Sequence, residues 1–371
     1  MKIRLAHVAL SLTTAMLSVG SAIASPALQW GVCGHPSQSQ ALWSNYAEQF
    51  STLDQRHLKS YRFDVFLNNS TGAPRLLQAL VGLAHAHHIT LHPILYVPLD
   101  DTNNGRYPST DAGLEAKAYD YTYPIVLKFA NDIRDWELEN ELSLRKGFKS
   151  GPGLSADDYA TGQAHQWAAL LRGMSHAIHD VGTRAGKPLR VVVDTAGADF
   201  GLVPFLEAQG VRVDELAYHY YYGAGTSPYQ FHIPGGTIDV FAEMKKIGKP
   251  VIINEFNAAE IYTPLKGKPY DDAKALVSLK THAEYLLHQK EANIEGVEFY
   301  ELYDEPGKNA AESNFGLLKD PSHPKTQLLL ASAYACGQLS QDERATLISR
   351  GLFTEASLAD QLASCSKREA H

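Results

Sequence analysis

Runs of apolar, largely β-branched residues recur along the chain at residues 28–33, 60–66, 90–97, 133–139, 189–195, 214–221, 250–255 and 294–302. Their length and composition read as buried strands. Between them the apolar positions change to a spacing of three and four. After the fourth run, Trp167, Leu170, Leu171, Met174, Ile178 and Val181 share one helical face, and Ser155-Ala156-Asp157-Asp158 upstream has the form of a capping box that opens the helix. Leu276, Leu279, Ala283, Leu286 and Leu287 repeat the spacing before the eighth run. Strands alternating with amphipathic helices imply parallel βαβ units, and eight strands are what a closed (β/α)8 barrel requires. No linker, low-complexity run or internal repeat interrupts residues 26–338, so one α/β barrel is predicted over residues 25–338. Leu347, Ile348, Leu352, Leu358 and Leu362 predict a helical extension over residues 339–371, packed outside the barrel.

The N-terminus adds a destination. Lys2 and Arg4 lead an apolar run from Val8 to Val19, and Ala22-Ile23-Ala24 precedes Ser25, the form of a secretory signal peptide over residues 1–24. No later stretch reaches the roughly 18 apolar residues of a membrane span, so the mature chain is expected to be secreted or periplasmic, without a membrane anchor. Lys and Arg number 33 against 41 Asp and Glu, a net charge of −8 that becomes −10 (31 against 41) without the leader. So acidic a chain lacks the clustered cations that nucleic acid or anionic lipid demands. Of the three cysteines, Cys33 lies in an early apolar segment, while Cys336 and Cys365 flank the C-terminal region. These two either staple the tail in an oxidising compartment or remain free, since spacing alone does not supply bond geometry. The histidine run His85, His87 and His88 reads as a solvated helix end, and no zinc-ligand spacing occurs.

Chemistry enters with "RDWELENELS", residues 134–143, where Glu137, Glu139 and Glu141 fall at every second position. On a strand such a period sends like charges to one face, where they repel unless compensated. Arg62, in "YRFDV" at the end of the second strand, is a cation suited to pair with Glu137; Glu139 either turns outward at a bulge or lines the pocket. Barrel active sites gather at the C-terminal ends of strands. The fourth strand ends in Asn140-Glu141, and the seventh, "KPVIINEFN", in Asn254-Glu255. Two facing carboxylates suit glycosidic bond cleavage, one protonated to donate to the leaving oxygen, the other ionised to attack the anomeric carbon or activate water.

"WELENEL" followed by "PVIINEF" resembles the paired strand ends of retaining glycoside hydrolases of clan A, a (β/α)8 superfamily. "YRFDV", "LAYHYYYG", "VEFYELYDE" and "NFGLLKD" fall where that clan places further strand-end motifs, so the resemblance covers most of residues 28–338. Within the clan the chain is similar to family 39. The resemblance implies Glu141 as acid/base, Glu255 as nucleophile, and Asn140 as a donor to the sugar 2-hydroxyl. It also implies a His-x-Tyr pair, His219 and Tyr221, whose tyrosine orients the nucleophile, although Tyr220 to Tyr222 leave the register open. Tyr300 stands where the clan often has a sugar-flooring tryptophan, Leu142 where it has proline, and His35 joins the substrate-binding set. No cofactor and no metal are implied. The expected partner is a carbohydrate, a plant cell-wall or bacterial exopolysaccharide or oligosaccharide. A catalytically inactive carbohydrate-binding barrel is the alternative from another class. A barrel lyase or aldolase lacks its strand-end lysine. Tyr96, Tyr107, Tyr119, Tyr121 and Tyr123 around the third strand either line an extended cleft or serve as half-buried packing.

Overall fold

The computed structural model describes residues 28–97, 110–222, 230–258, 271–308 and 312–368, so the leader and Tyr107 lie outside the described residues. Eight parallel strands close into a barrel: β1 (Gln29–Gly34), β2 (Ser60–Phe66), β3 (Thr90–Tyr96), β4 (Asp135–Leu138), β5 (Arg190–Ala196), β6 (Glu215–Tyr222), β7 (Val251–Ala258) and β8 (Ile294–Phe299). Each pairs with its sequence neighbours, and β8 closes on β1 through Gln29–Gly296 and Val32–Phe299. Outside lie α1 (Tyr46–Gln55), α2 (Gly72–His87), α3 (Asp111–Phe129), α4 (Gly162–Ala185), α5 (Leu202–Ala208), α6 (Val240–Ile247), α7 (Asp272–His288) and α8 (Thr326–Ala335).

The apolar runs face the helices. Val191, Val193, Leu216, Tyr218, Ile253 and Val297 alternate with inward residues and are 0–1% exposed in the main core. Helix α4 buries Trp167, Leu170, Leu171, Met174, Ile178 and Val181 as its spacing predicts. The Ser155 capping box exists, but it opens a 3-10 turn, Ala156–Tyr159. The helix proper starts after Thr161, whose side-chain oxygen accepts the Ala164 N–H at 3.1 Å. Helices α3 and α4 approach so closely at Gly173 that a Cβ there would strike the Glu115 carbonyl. His85 and His87 occupy the last turn of α2 and His88 its left-handed C-cap.

The barrel interior is largely polar, in contrast to the branched aliphatic layers common in this architecture. Only Val192, Ala217 and Ile252 form an interior apolar cluster among the described residues. At the N-terminal end Arg190 binds Asp135 at 2.6 Å and Glu215 at 2.9 Å, and His92 binds Glu298 at 2.7 Å. Beyond α8, helices α9 (Gln341–Ser349) and α10 (Glu355–Arg368) follow, and a Cys336–Cys365 disulfide ties α10 to the end of α8. No helix among the described residues is long and apolar enough to cross a membrane.

Candidate active site

The three glutamates of the fourth strand meet three different fates, because β4 ends at Leu138 and the alternation stops with it. Glu137, still in the strand, points inward and is 3% exposed. Arg62 donates to it through Nε and Nη2, both at 2.7 Å, and the Asn254 amide adds a bond at 2.9 Å. Arg62 is the third residue of β2 and not at its end; its long side chain carries the guanidinium up to the mouth. There Nη1 donates to Glu255 at 2.7 Å and Nη2 to Asn140 Oδ1 at 2.6 Å. One planar cation thus joins β2, β4 and β7 in the bidentate geometry that suits guanidinium and carboxylate.

Glu139 and Glu141 both adopt left-handed backbone, with φ of 59° and 51°. That region is uncommon for residues with a Cβ, and its occupation by two near neighbours marks a bent strand exit of the kind found at functional sites. Glu139 neither escapes to solvent nor enters the carboxylate pair. It is buried, accepts the Val97 N–H at 2.8 Å and lies 3.5 Å from Arg145. Burial pushes its carboxyl up from 4.5 to about 8 against these two weaker attractions. A carboxyl neutral in the folded state and charged in the unfolded one costs stability that grows from about pH 4.5 to about pH 8. Glu139→Gln is therefore expected to match the parent at pH 4.5 and to exceed it in melting temperature by a margin that widens up to pH 8. Thermal unfolding at several pH values measures it, and a constant margin would place a charged Glu139 in the fold.

Glu141 remains at the surface of the mouth, its side chain 36% exposed, facing His219. Strand β6 explains the tyrosine register. Ala217, His219 and Tyr221 alternate inward, and a register shift between Ala217 and His219 sets His219 opposite Glu255 and Tyr221 opposite Asn257. Tyr220 turns outward to His282 on α7. The Tyr221 hydroxyl donates to Glu255 Oε2 at 2.7 Å. His219 Nδ1 lies 2.8 Å from Glu141 Oε1 and 3.4 Å from Glu255 Oε2. Burial works against charge on both Glu255 and His219. Yet His219, Arg62 and the Tyr221 hydroxyl outweigh it and hold Glu255 below its ordinary range. Glu255, the bond to Glu141 and Asp194 likewise lift His219 to about 9.

Asp194, the fifth residue of β5, was not among the expected site residues. It accepts the Glu141 backbone N–H at 2.7 Å and lies 3.3 Å from His219 Nε2, so it fixes both the bent exit and the histidine. Burial pushes it up to about 7 despite His219. A lone acid inside the apolar run "VVVD" was the available signal.

A second polar cluster spans the tops of β1, β2 and β8. His35 lies 3.2 Å from Asp64 and 2.8 Å from Glu301, and Lys308 pairs with Glu305 and donates to the Tyr300 hydroxyl at 2.7 Å. The Tyr300 ring stands edge-on to Tyr221 and to His35 at centroid distances of 6.5 and 5.8 Å, so these aromatics wall the same mouth. Tyr119 and Tyr123, by contrast, stack on each other on α3, where the Tyr119 hydroxyl bonds Asp180 of α4 and the Tyr123 hydroxyl accepts from Arg184. With Tyr121 on the same helix they are packing outside the barrel, because helix α3 runs on its outer wall.

Among the described residues, three groups bring ligand-type atoms within 4.8 Å of one another: His35, Glu301 and Glu305; Glu137, Asp194 and His219; and Glu141, His219 and Glu255. Side-chain cations already occupy each of them, Lys308 in the first and Arg62 with the charged His219 in the others.

No protein-family model matches the chain, and no curated protein matches it in sequence. Among solved structures it is similar to a family 39 glycoside hydrolase from the gut symbiont Bacteroides cellulosilyticus, with a TM-score of 0.58 and 19% identity over 83% of this chain and 64% of that one. It is also similar to a β-glucosidase from Thermotoga maritima (TM-score 0.55, 12% identity, 87% and 98% covered). A family 1 β-glucosidase from Exiguobacterium antarcticum gives 0.58 and 11% over 86% and 98%. The chain spans 64% of the length of the family 39 hydrolase. At these identities the likeness establishes the fold: a closed (β/α)8 barrel of the kind that carries family 39 and family 1 glycoside hydrolases.

Proposed function

We propose that the protein is an exported retaining β-glycoside hydrolase that works by double displacement, with Glu255 as nucleophile and Glu141 as acid/base. One observation carries the reading: Glu141 and Glu255, from strands on opposite sides of the mouth, bring carboxylate oxygens within 4.8 Å of each other around His219. Retaining enzymes hold their carboxyl groups about 5 to 5.5 Å apart, whereas inverting ones leave about 6.5 to 9.5 Å for a water.

The surroundings divide the roles. Glu255 is kept ionised by Arg62, His219 and Tyr221, as attack on an anomeric carbon requires. In the first step a Glu255 oxygen forms an ester with the anomeric carbon while the bond to the leaving oxygen breaks, and that oxygen takes the proton of Glu141. His219 Nδ1 lies 2.8 Å from Glu141 Oε1, within hydrogen-bond reach, and so orients the carboxyl that donates to the leaving oxygen. In the second step Glu141 removes a proton from water, the water oxygen attacks the same carbon, and the ester breaks to restore Glu255. Asn140 gives its amide oxygen to Arg62, which leaves its amide nitrogen for the sugar 2-hydroxyl. His35 and Tyr300, fixed by Glu301 and Lys308, would line the remainder of the sugar site. The leader and the Cys336–Cys365 disulfide support an oxidising destination, secreted or periplasmic.

A panel of aryl β-glycosides and β-linked cell-wall and exopolysaccharides, incubated with the purified chain, tests the reading. Release of aglycone or reducing sugar from at least one is expected, and complete inertness would leave a carbohydrate-binding barrel in its place.

A further inference from the structure

Strand β2 forms a ladder from the carboxylates to the rim. Period-2 geometry puts Arg62, Asp64 and Phe66 on one face, and about 3.3 Å per residue sets Phe66 some 13 Å beyond Arg62 along the strand. Arg62 holds Glu255, Asp64 meets His35, and Phe66 comes last, with 46% of its surface exposed. Such exposure is unusual for a phenylalanine that ends a barrel strand. Tyr96, its register partner on β3, stacks on the ring at a centroid distance of 5.0 Å and 21° between planes. The stacked pair is a rigid aromatic surface at the edge of the mouth.

Phe66 also lines a cavity of about 350 Å³ between the segment after β1 and the start of α2, together with Pro36, Tyr46, Asn69 and Arg75. That is the lower end of the size range of small-molecule sites. Its lining has the composition such sites share, apolar and aromatic surface with a few polar groups. Arg75 is the informative one. Arg56, Arg134, Arg172, Arg190 and Arg350 are all ion-paired, whereas Arg75, exposed in the first turn of α2, has no ion pair or side-chain hydrogen bond among the described residues. In a chain with a net charge of −8, an unpaired guanidinium beside an exposed aromatic ring is a ready receptor for an anion carried on a ring-shaped ligand.

We propose that the Phe66–Arg75 cavity is a distal sugar subsite for an acidic oligosaccharide: Phe66 stacks on a pyranose face and Arg75 receives that unit's carboxylate. The proposal rests on the hydrolase reading and extends it, since it makes the substrate a chain of uronate-bearing sugars and not a simple glycoside. Neither Glu141 nor Glu255 lines the cavity, so it contributes binding without touching the bond that breaks.

Calorimetric titration of the full chain carrying Glu255→Gln, which prevents turnover, tests this. The probes are β-1,4-linked gluco- and manno-tetrasaccharides, each with its C6-oxidised counterpart, so that partners differ only in carboxylate content. An oxidised tetrasaccharide is expected to bind about tenfold more tightly than its neutral partner. Arg75→Ala should erase that preference, and Phe66→Ala should weaken both members about tenfold. With Glu255 restored, both variants should keep the parent's melting temperature and its rate on an aryl monoglycoside, which does not reach the cavity. Unchanged affinity in Phe66→Ala, a preference surviving Arg75→Ala, or no binding of any tetrasaccharide would each overturn the proposal. If the binding pattern appears but the parent hydrolyses no glycoside, the hydrolase reading alone fails. If aryl glycosides are cleaved without the pattern, the subsite alone fails.

Discussion

Glu255→Ala is expected to lose at least ~10⁴-fold in turnover on every substrate, because a good leaving group does not replace a missing nucleophile. Azide added to this variant should enter the space vacated by the carboxylate and restore turnover with an activated aryl glycoside, giving the α-glycosyl azide. Glu141→Ala should behave differently. An activated aryl glycoside needs little acid help in the first step, so this variant should still form the ester on Glu255 and accumulate it. Azide should then release it as the β-glycosyl azide. The two anomers, read by NMR, assign the two roles independently of the sugar. The opposite pairing would exchange Glu141 and Glu255, and no rescue of either would remove the support for a covalent intermediate.

The second large effect concerns Arg62. Among the described residues, four hydrogen bonds to oxygens of Glu137, Glu255 and Asn140 and a longer one to Cys33 Sγ meet on this one guanidinium, which is 2% exposed. Arg62→Met removes the cation and leaves Glu137 and Glu255 facing each other without it. Breaking a buried pair by deleting one partner typically costs about 3–5 kcal/mol. The loss should depend on pH in a definite direction. With Arg62 present, Glu255 titrates below its ordinary range, so the stabilisation it provides exists at neutral pH and fades as pH falls through the folded-state value. Without Arg62, burial of Glu255 is opposed by less and its carboxyl shifts upward, so acid neutralises it. The deficit of Arg62→Met relative to the parent should therefore be largest near pH 7 and shrink toward pH 4. Activity should fall as well, since Arg62 also fixes Asn140. Denaturant unfolding at the two pH values measures the difference. A deficit equal at both would mean that the orphaned carboxyls do not set the cost.

The fold was legible because its signal is repeated: eight β-branched runs alternate with helices of fixed spacing, and each is long enough for its period to show. The Arg62–Glu137 pair was legible for a related reason. A strand bearing three acids at period two needs a cation, and few lie in the right segments. Other features depend on backbone departures that no period announces. Glu139 escapes the alternation because β4 ends at Leu138 and the next residue turns left-handed. The choice among Tyr220, Tyr221 and Tyr222 rests on a register shift between β6 and β7 that sequence spacing does not contain. Tyr119, Tyr121 and Tyr123 fall at every second position, which imitates a strand face, but they belong to a helix of 19 residues. The Asp194–His219–Glu141 chain joins β5, β6 and the exit of β4, and it depends on the pairing register of these neighbouring strands and on the bend at Glu141, neither of which sequence spacing contains.

The central claim is that cleavage proceeds with two inversions at one carbon. Proton NMR of the first sugar released from an aryl β-glycoside, recorded within minutes and before mutarotation, tests it most directly. The β anomer is expected to appear first, with the α anomer growing in slowly afterwards. Initial release of the α anomer would mean a single displacement by water. It would contradict both the nucleophilic role of Glu255 and the link between the short Glu141–Glu255 separation and a covalent intermediate.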